Sequence, residues 1–195
     1  MQEHISDILN DSFNNLQKVI SDKRLILEIE TVTTKIITAF KDGNKLLLCG
    51  NGGSASDAQH IAAELSGRFL KERKPLYAEA LHVNSSYMTA VGNDYGYDFT
   101  YSRMLEAMGE EGDILIGIST SGNSPNVVNA IKKAKQMGVF TVGLSGKDGG
   151  KLNDLCDITL CVSSNDTPRI QESHILIGHI ICQLIEEEMF PKCVS

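Results

Sequence analysis

Apolar residues recur at every third or fourth position through the first forty residues, which is the spacing of a helix with one buried face. One such pattern runs from about residue 3 to 20 and a second from about 25 to 40. Gly43 follows the second pattern and is free to take the left-handed conformation that closes a helix. The sequence therefore predicts two amphipathic helices in an N-terminal segment, residues 1–42.

After Gly43 the pattern changes to short apolar runs that alternate with small-residue loops and helical stretches. The predicted strands are residues 45–49, 76–83, 114–118, 140–144 and 158–162. The predicted helices between and after them are 54–66, 85–91, 99–108, 125–137 and 169–188. Strands that alternate with helices favour an α/β fold with a five-stranded, mostly parallel sheet covered on both faces.

Composition and charge narrow the function classes. The chain has 195 residues, with 18 basic and 25 acidic side chains and a net charge of −7. No basic stripe is present to bind nucleic acid. The longest apolar stretch, 175–185, is too short to cross a bilayer. The five cysteines lack metal-finger spacing and no secretion signal is recognisable, so we expect reduced thiols in a soluble cytoplasmic domain.

The first candidate motif is the glycine loop, residues 50–56, which reads Gly-Asn-Gly-Gly-Ser-Ala-Ser between a predicted strand and helix. It fits the dinucleotide-binding pattern GxGxxA, but no acidic residue follows at the end of the next strand to hold a ribose. Two interpretations remain. The loop is either a tight turn capped by Ser54 or Ser56, or a place where a ligand approaches backbone N–H groups closely.

The second motif is the serine loop, residues 119–124, which comes directly after a predicted strand. Pro125 suits the first helical position and Ser124 the N-cap before it. A cap needs one hydroxyl, whereas this loop supplies Ser119, Thr120, Ser121 and Ser124. Hydroxyls at the positive end of a helix favour a phosphate cradle, with simple helix capping as the alternative.

Two pairs of polar residues could supply chemistry. His60 and Glu64 lie four positions apart on one helix face. Gln171 and His179 lie eight positions apart, about 80° around their helix, so both can face one cavity. Each pair has an ordinary alternative, as a surface contact or a core histidine. Beside a phosphate loop they indicate carboxylate and imidazole groups near an anionic sugar, with ligand atoms suited to zinc.

Four segments carry a resemblance to a known family: residues 49–64, 91–94, 117–124 and 169–179. In order and spacing they resemble the phosphoheptose isomerases of the sugar isomerase (SIS) domain family. The resemblance runs from the N-terminal helices to Glu188. It implies a flavodoxin-like three-layer αβα sandwich in residues 43–195, with residues 1–42 as a helical oligomerisation segment.

The resemblance also implies an activity, namely conversion of sedoheptulose 7-phosphate to D-glycero-D-manno-heptose 7-phosphate through an enediol. It implies a homotetramer, one zinc ion per subunit, and a product used for lipopolysaccharide or capsule. Carried over by motif, Glu64 is the general base and His179 the acid. The implied zinc ligands are His60, Glu64, Gln171 and His179. The implied substrate-binding residues are Asn51, Gly52, Gly53, Ser54, Glu64, Asn93, Asp94, Ser119, Thr120, Ser121, Ser124 and Gln171.

Two other functions compete with this one. The first is a non-catalytic SIS protein that binds phosphosugars or, like the replication-initiator-associating member, a protein partner. That branch lacks equivalents of Glu64 and His179, both of which are present here. The second is a phosphosugar sensor or an isomerase for another chain length, because the loops recognise phosphate rather than carbon number.

Overall fold

The computed structural model describes residues 1–191. The helices are α1 (Gln2–Ser21), α2 (Lys23–Lys41), α3 (Gly53–Ser66), α4 (Ser85–Asp94), α5 (Thr100–Met108), α6 (Pro125–Gln136), α7 (Gly150–Leu155) and α8 (Thr167–Met189). The strands are β1 (Leu46–Gly50), β2 (Ala78–Ala80), β3 (Ile114–Ser119), β4 (Phe140–Gly146) and β5 (Ile158–Val162). A short 3-10 turn, Tyr97–Phe99, precedes α5.

The five strands form one parallel sheet in the order β2-β1-β3-β4-β5, which confirms the predicted fold class. In this flavodoxin-like order the chain moves outward from β1 in both directions, so the direction switches between β1 and β3. Ligands of such sheets bind beyond the carboxyl ends of the strands at the switch. The glycine loop follows β1 and the serine loop follows β3, so both candidate motifs lie there.

Apolar layers cover both faces of the sheet. Leu46 and Leu48 of β1 join one buried cluster with residues of α2, α3 and α8. Leu47 and Cys49 of the same strand join a second cluster with residues of α5, α6 and α7. Because successive side chains of a strand point to opposite faces, a continuous apolar run is what a doubly covered strand requires.

The two N-terminal helices differ in how their apolar stripes are covered. In α2 the stripe, including Leu25, Ile29 and Val32, is buried in the cluster that covers the sheet. In α1, by contrast, large apolar side chains such as Leu9 and Phe13 are exposed. Only the α1 stripe is therefore without cover in a single chain. The oligomerisation role of residues 1–42 stays a prediction.

Two local predictions were wrong. The second strand was predicted over 76–83 but pairs with β1 only at Ala78–Ala80, at one edge of the sheet. The short helix α7 was missed, since two glycines precede its single buried leucine, Leu152. Of the four cysteines within residues 1–191, which form no disulfide there, Cys49 and Cys182 are buried and Cys156 and Cys161 half-buried, and Cys193 lies outside the described residues. None of the helices within residues 1–191 has both the length and the apolar character to cross a membrane.

Candidate active site

The glycine loop turns sharply from β1 into α3. A Cβ atom at Gly50 would lie 2.6 Å from the carbonyl oxygen of Ser54, so only glycine lets the helix start this close to the strand. Gly52 occupies the N-cap position with φ +56°, and no side chain caps this helix in the described structure. The alternative in which Ser54 or Ser56 caps the turn is therefore wrong, and Ser54 is buried instead.

Asn51 ties the glycine loop to the elements around it. Its side-chain oxygen accepts hydrogen bonds from the hydroxyls of Tyr97 (3.0 Å) and Tyr101 (3.1 Å). The same oxygen accepts from the amide of Asn126 at 2.9 Å. Asn126 belongs to the first turn of α6, so this contact fixes the start of α3 relative to the start of α6 across the switch point.

The serine loop brings two of its hydroxyls into contact, at its two ends. The hydroxyls of Ser119 and Ser124 are 2.9 Å apart, and that of Ser121 accepts from the backbone N–H of Asn123 at 3.2 Å. Ser124 holds the predicted N-cap position before Pro125, yet its side chain makes no capping bond. Simple capping thus does not explain this loop. Thr120 is half-buried between Ser119 and Ser121.

The β4–α7 loop, residues 147–149, packs directly against the serine loop. A Cβ atom at Gly122 would lie 1.9 Å from the carbonyl oxygen of Gly149, a distance no side chain can occupy. The backbone N–H of Leu152 donates to the Gly122 carbonyl at 3.1 Å, and that of Lys151 to the Asn123 side chain at 3.2 Å. The serine loop is therefore held against α7 by a backbone hydrogen bond, by the Asn123 side chain and by the close packing of Gly122.

Three of the predicted zinc ligands meet between α3 and α8, forming what we call the ligand cluster: His60, Glu64 and His179. Their ligand atoms all lie within 4.8 Å of one another. His60 Nε2 is 2.9 Å from Glu64 Oε1 and 3.4 Å from His179 Nε2. Glu64 is partly buried, with 24% of its side chain exposed. The helical spacing brings His60 and Glu64 together, and the packing of α8 on α3 adds His179.

The ligand cluster fits zinc in donor type and spacing. Two imidazole nitrogens and a carboxylate oxygen are common zinc ligands, at bond lengths of about 2.0–2.1 Å that put neighbouring tetrahedral ligand atoms about 3.3 Å apart. The two histidine nitrogens, at 3.4 Å, match that separation. Gln171, the fourth predicted ligand, also belongs to α8, and its amide lies against Gly53 at the start of α3. A Cβ at Gly53 would approach this amide nitrogen to 2.6 Å.

Comparison with known proteins identifies the family of this chain. A sequence profile of the SIS domain family matches residues 10–146. A phosphoheptose isomerase of Clostridium acetobutylicum is 50% identical over 195 residues, the full length of both chains. One from Aliarcobacter butzleri is 58% identical over 161 residues, 83% of this chain and 85% of the relative. The chain belongs to the phosphoheptose isomerase family.

A solved structure leads to the same family. The phosphoheptose isomerase of Neisseria gonorrhoeae superposes with a TM-score of 0.90 at 39% identity, covering 95% of this chain and 98% of that one. Family membership confirms the predicted fold and the prediction of an enzyme over a non-catalytic SIS protein. The assignment of individual site residues stays a prediction.

Asn93 and Asp94 are the predicted substrate contacts that lie apart from the others. They end α4, both are exposed, and the Asn93 amide donates to Asp94 at 2.8 Å. No hydrogen bond within residues 1–191 joins them to the ligand cluster or the serine loop. The chain returns to the site just after them, where Tyr97 reaches Asn51.

Sequence reasoning missed Asp57, which shares α3 with His60 and Glu64 at spacings of three and seven. Its Oδ2 atom is buried without a hydrogen-bond partner in the described structure. Burial raises the pKa of the Asp57 carboxyl, and the nearby His60 and His179 partly offset that increase. A helical-wheel comparison of 57, 60 and 64 would have found it.

Proposed function

We propose that the chain isomerises sedoheptulose 7-phosphate to D-glycero-D-manno-heptose 7-phosphate. The observation that carries the proposal is the ligand cluster, which puts a carboxylate and two imidazoles together between α8 and the helix that begins at the glycine loop. Its placement in a chain that is about half identical to phosphoheptose isomerases gives that chemistry a substrate class.

An aldose–ketose isomerase must move one carbon-bound proton between neighbouring carbons. In this proposal Glu64 takes a proton from C1 of the ketose while His179 donates one to the carbonyl oxygen at C2, which gives the enediol. His179 then removes the proton of the C1 hydroxyl as Glu64 returns its proton to C2. The aldehyde forms at C1 and the hydroxyl at C2, so protons balance.

The remaining predicted residues have binding roles. The serine loop and the starts of α3 and α6 offer N–H and hydroxyl donors for the substrate phosphate, which does not react. Binding energy from a remote group can be used to position the reacting carbons. We propose His60, Glu64, Gln171 and His179 as the zinc ligands. Bound there, zinc would polarise the carbonyl or hold the neighbouring groups in place.

The direct test is turnover of sedoheptulose 7-phosphate beside ketose phosphates with five and six carbons. We expect the seven-carbon substrate to have the highest kcat/KM. Product formation followed by NMR in D₂O should also show solvent deuterium entering at C2 of the aldose. Equal turnover of all three ketoses would contradict the chain-length assignment, and turnover of none would contradict the proposed function.

We further propose a homotetramer in the cytoplasm whose product supplies heptose for lipopolysaccharide or capsule. The exposed apolar stripe of α1, with Leu9 64% and Phe13 58% exposed, supports an assembly that covers it. Light scattering should give four times the chain mass, and Leu9→Ser with Phe13→Ser should lower it. A wild-type monomer with full activity would contradict the tetramer.

A further inference from the structure

An ion pair lies buried behind the ligand cluster, between α8 and the segment that follows α3. Arg73 Nε is 2.9 Å from Glu186 Oε1, and each side chain is 1% exposed. Removing two charges from water this completely is costly unless further hydrogen bonds compensate. Such a pair therefore needs a structural or functional reason to be present.

Both oxygens of Glu186 accept additional hydrogen bonds from consecutive backbone N–H groups. Oε1 accepts from Phe69 at 3.2 Å, while Oε2 accepts from Leu70 and Lys71 at 2.8 Å each. Burial raises the pKa of the Glu186 carboxyl, but these bonds and Arg73 outweigh that effect and hold it below its ordinary value. Glu186 is thus a charged anchor for residues 69–71.

The guanidinium of Arg73 holds the end of α3. Its terminal nitrogens donate to the carbonyl of Glu64 at 2.8 Å, of Leu65 at 2.9 Å and of Gly67 at 3.2 Å. The last carbonyls of a helix have no partner within the helix, so Arg73 supplies one. One of these carbonyls belongs to the proposed general base itself. Arg73 therefore restricts the backbone from which the Glu64 side chain projects.

A second branch of the same network reaches His179. The Phe69 ring stacks on the His179 imidazole, with centroids 5.8 Å apart and planes inclined by 27°. The backbone of Phe69 is held by Glu186, which lies seven residues after His179 on α8 and so two turns along the same face. One buried ion pair thus contacts the backbone of Glu64 through Arg73, and the backbone of the residue that stacks on His179 through Glu186.

We infer that Arg73 and Glu186 are positioning residues that align Glu64 and His179 for proton transfer. Arg73 acts through the Glu64 carbonyl, and Glu186 acts through Phe69 and its stack on His179. Neither touches the substrate. A displacement of about 1 Å in reacting groups can cost about 100-fold in rate, so alignment of this kind has kinetic value. The kinetic part of this inference rests on the proposed function.

The sharpest variant is Glu186→Gln, which keeps the size of the side chain. Its amide nitrogen cannot accept hydrogen bonds, so in either orientation part of the 69–71 backbone loses its acceptor, and Arg73 loses its charged partner. The matched control is Glu28→Gln, which removes a carboxylate from a surface ion pair with Arg24. Assays are run on the zinc-loaded protein at a temperature at which circular dichroism shows each variant folded.

The first readout does not depend on activity. The Hε1 proton signal of the His179 ring, assigned by its loss in His179→Gln, reports the ring current of Phe69. We expect this signal to move in Glu186→Gln and to stay in place in Glu28→Gln. The second readout is kinetic, with kcat for sedoheptulose 7-phosphate falling by about 10- to 100-fold and KM staying near the wild-type value.

A folded Glu186→Gln protein with an unmoved His179 signal, or with wild-type kcat, would overturn the inference. A parallel rise in KM would indicate general loosening of the site and would overturn it as well. If Glu186→Gln does not fold, Phe69→Leu and Arg73→Lys test the two branches separately by the kinetic readout, in which kcat should fall while KM stays near the wild-type value. If the wild-type protein does not turn over sedoheptulose 7-phosphate but the His179 signal still moves in Glu186→Gln, the proposed function is rejected. The inference that Glu186 positions His179 then stands.

Discussion

The serine loop after β3 and the ligand cluster on α3 and α8 are positioned by different parts of the chain. The serine loop is held by backbone hydrogen bonds and by the close approach of Gly122 to Gly149. The ligand cluster consists of side chains on two long helices and is supported by a buried ion pair. The half proposed to bind phosphate therefore depends on loop conformation, and the half proposed to move protons depends on the side chains of the ligand cluster.

The largest effect is expected where a chemical group is removed and conformation is kept. Glu64→Gln should lower kcat by about 10²- to 10⁴-fold with phosphosugar binding retained, because it removes the proposed base and leaves the serine loop intact. His179→Gln should have a similar effect, and the two should not add. The control is Glu187→Gln, an exposed carboxylate on α8.

Exchange of the substrate's carbon-bound proton with D₂O decides the role of Glu64. A Glu64→Gln protein that binds substrate, retains zinc and exchanges this proton at the wild-type rate would exclude Glu64 as the base. Asp57 and Asp94 would then be the carboxylates to test. Zinc content must be measured in parallel, since Glu64 is also a proposed ligand.

The next effect concerns a contact between α8 and β4, the strand beside the one that leads into the serine loop. His174 is fully buried on α8, and its Nε2 lies 3.0 Å from the carbonyl of Ser145, a residue that pairs with Ser119 in the sheet. Burial lowers the pKa of His174 to about 4, although the Ser145 contact acts in the opposite direction. The folded protein therefore disfavours the proton that the unfolded chain accepts below about pH 6.5.

The sign of the pH dependence follows from that difference. The contribution that neutral His174 makes to the free energy of unfolding is fully present above about pH 6.5. It is lost as the pH falls toward 4 and amounts to on the order of 3 kcal/mol. Urea unfolding at several pH values should show this loss, and His174→Gln should have a flatter profile between pH 6.5 and 4. The exposed His4→Gln is the control, and equal slopes in all three proteins would contradict the prediction.

A smaller effect is expected in the serine loop itself. Ser121→Ala should raise KM by about 10- to 100-fold, the value of one hydrogen bond to a charged group, while kcat stays near wild type. The control is Ser21→Ala, whose exposed hydroxyl donates to a carbonyl of its own helix. A collapse of kcat at unchanged KM would show that this loop does not bind the phosphate.

The smallest effect should come from an ion pair that belongs neither to the serine loop nor to the ligand cluster. Glu106 and Lys133 are 2.6 Å apart on the surface between α5 and α6. Glu106→Gln should leave kcat, KM and the urea midpoint near their wild-type values, because exposed pairs contribute little and are screened by salt. A clear loss of activity would mean that this surface communicates with the site.

The comparison also explains how far sequence reasoning reached. Hydrophobic periodicity located the sheet, and spacing within one helix paired His60 with Glu64, because both are local properties of the chain. The contacts around Arg73 and Phe69 could not be predicted in this way. They join a loop to residues more than a hundred positions later on α8, and only the packing of α8 on α3 brings them together.

The interlock of Gly122 with Gly149 has a consequence for how this sequence can vary. The β4–α7 loop contributes no predicted site residue, yet its backbone fills the space that a methyl group on residue 122 would need. Gly149 is itself restricted, because its φ is +87° and a Cβ there would lie 2.8 Å from the Cβ of Asn153. In a library of random variants, we therefore expect residue 149 to tolerate few replacements, although it contributes no proposed site residue.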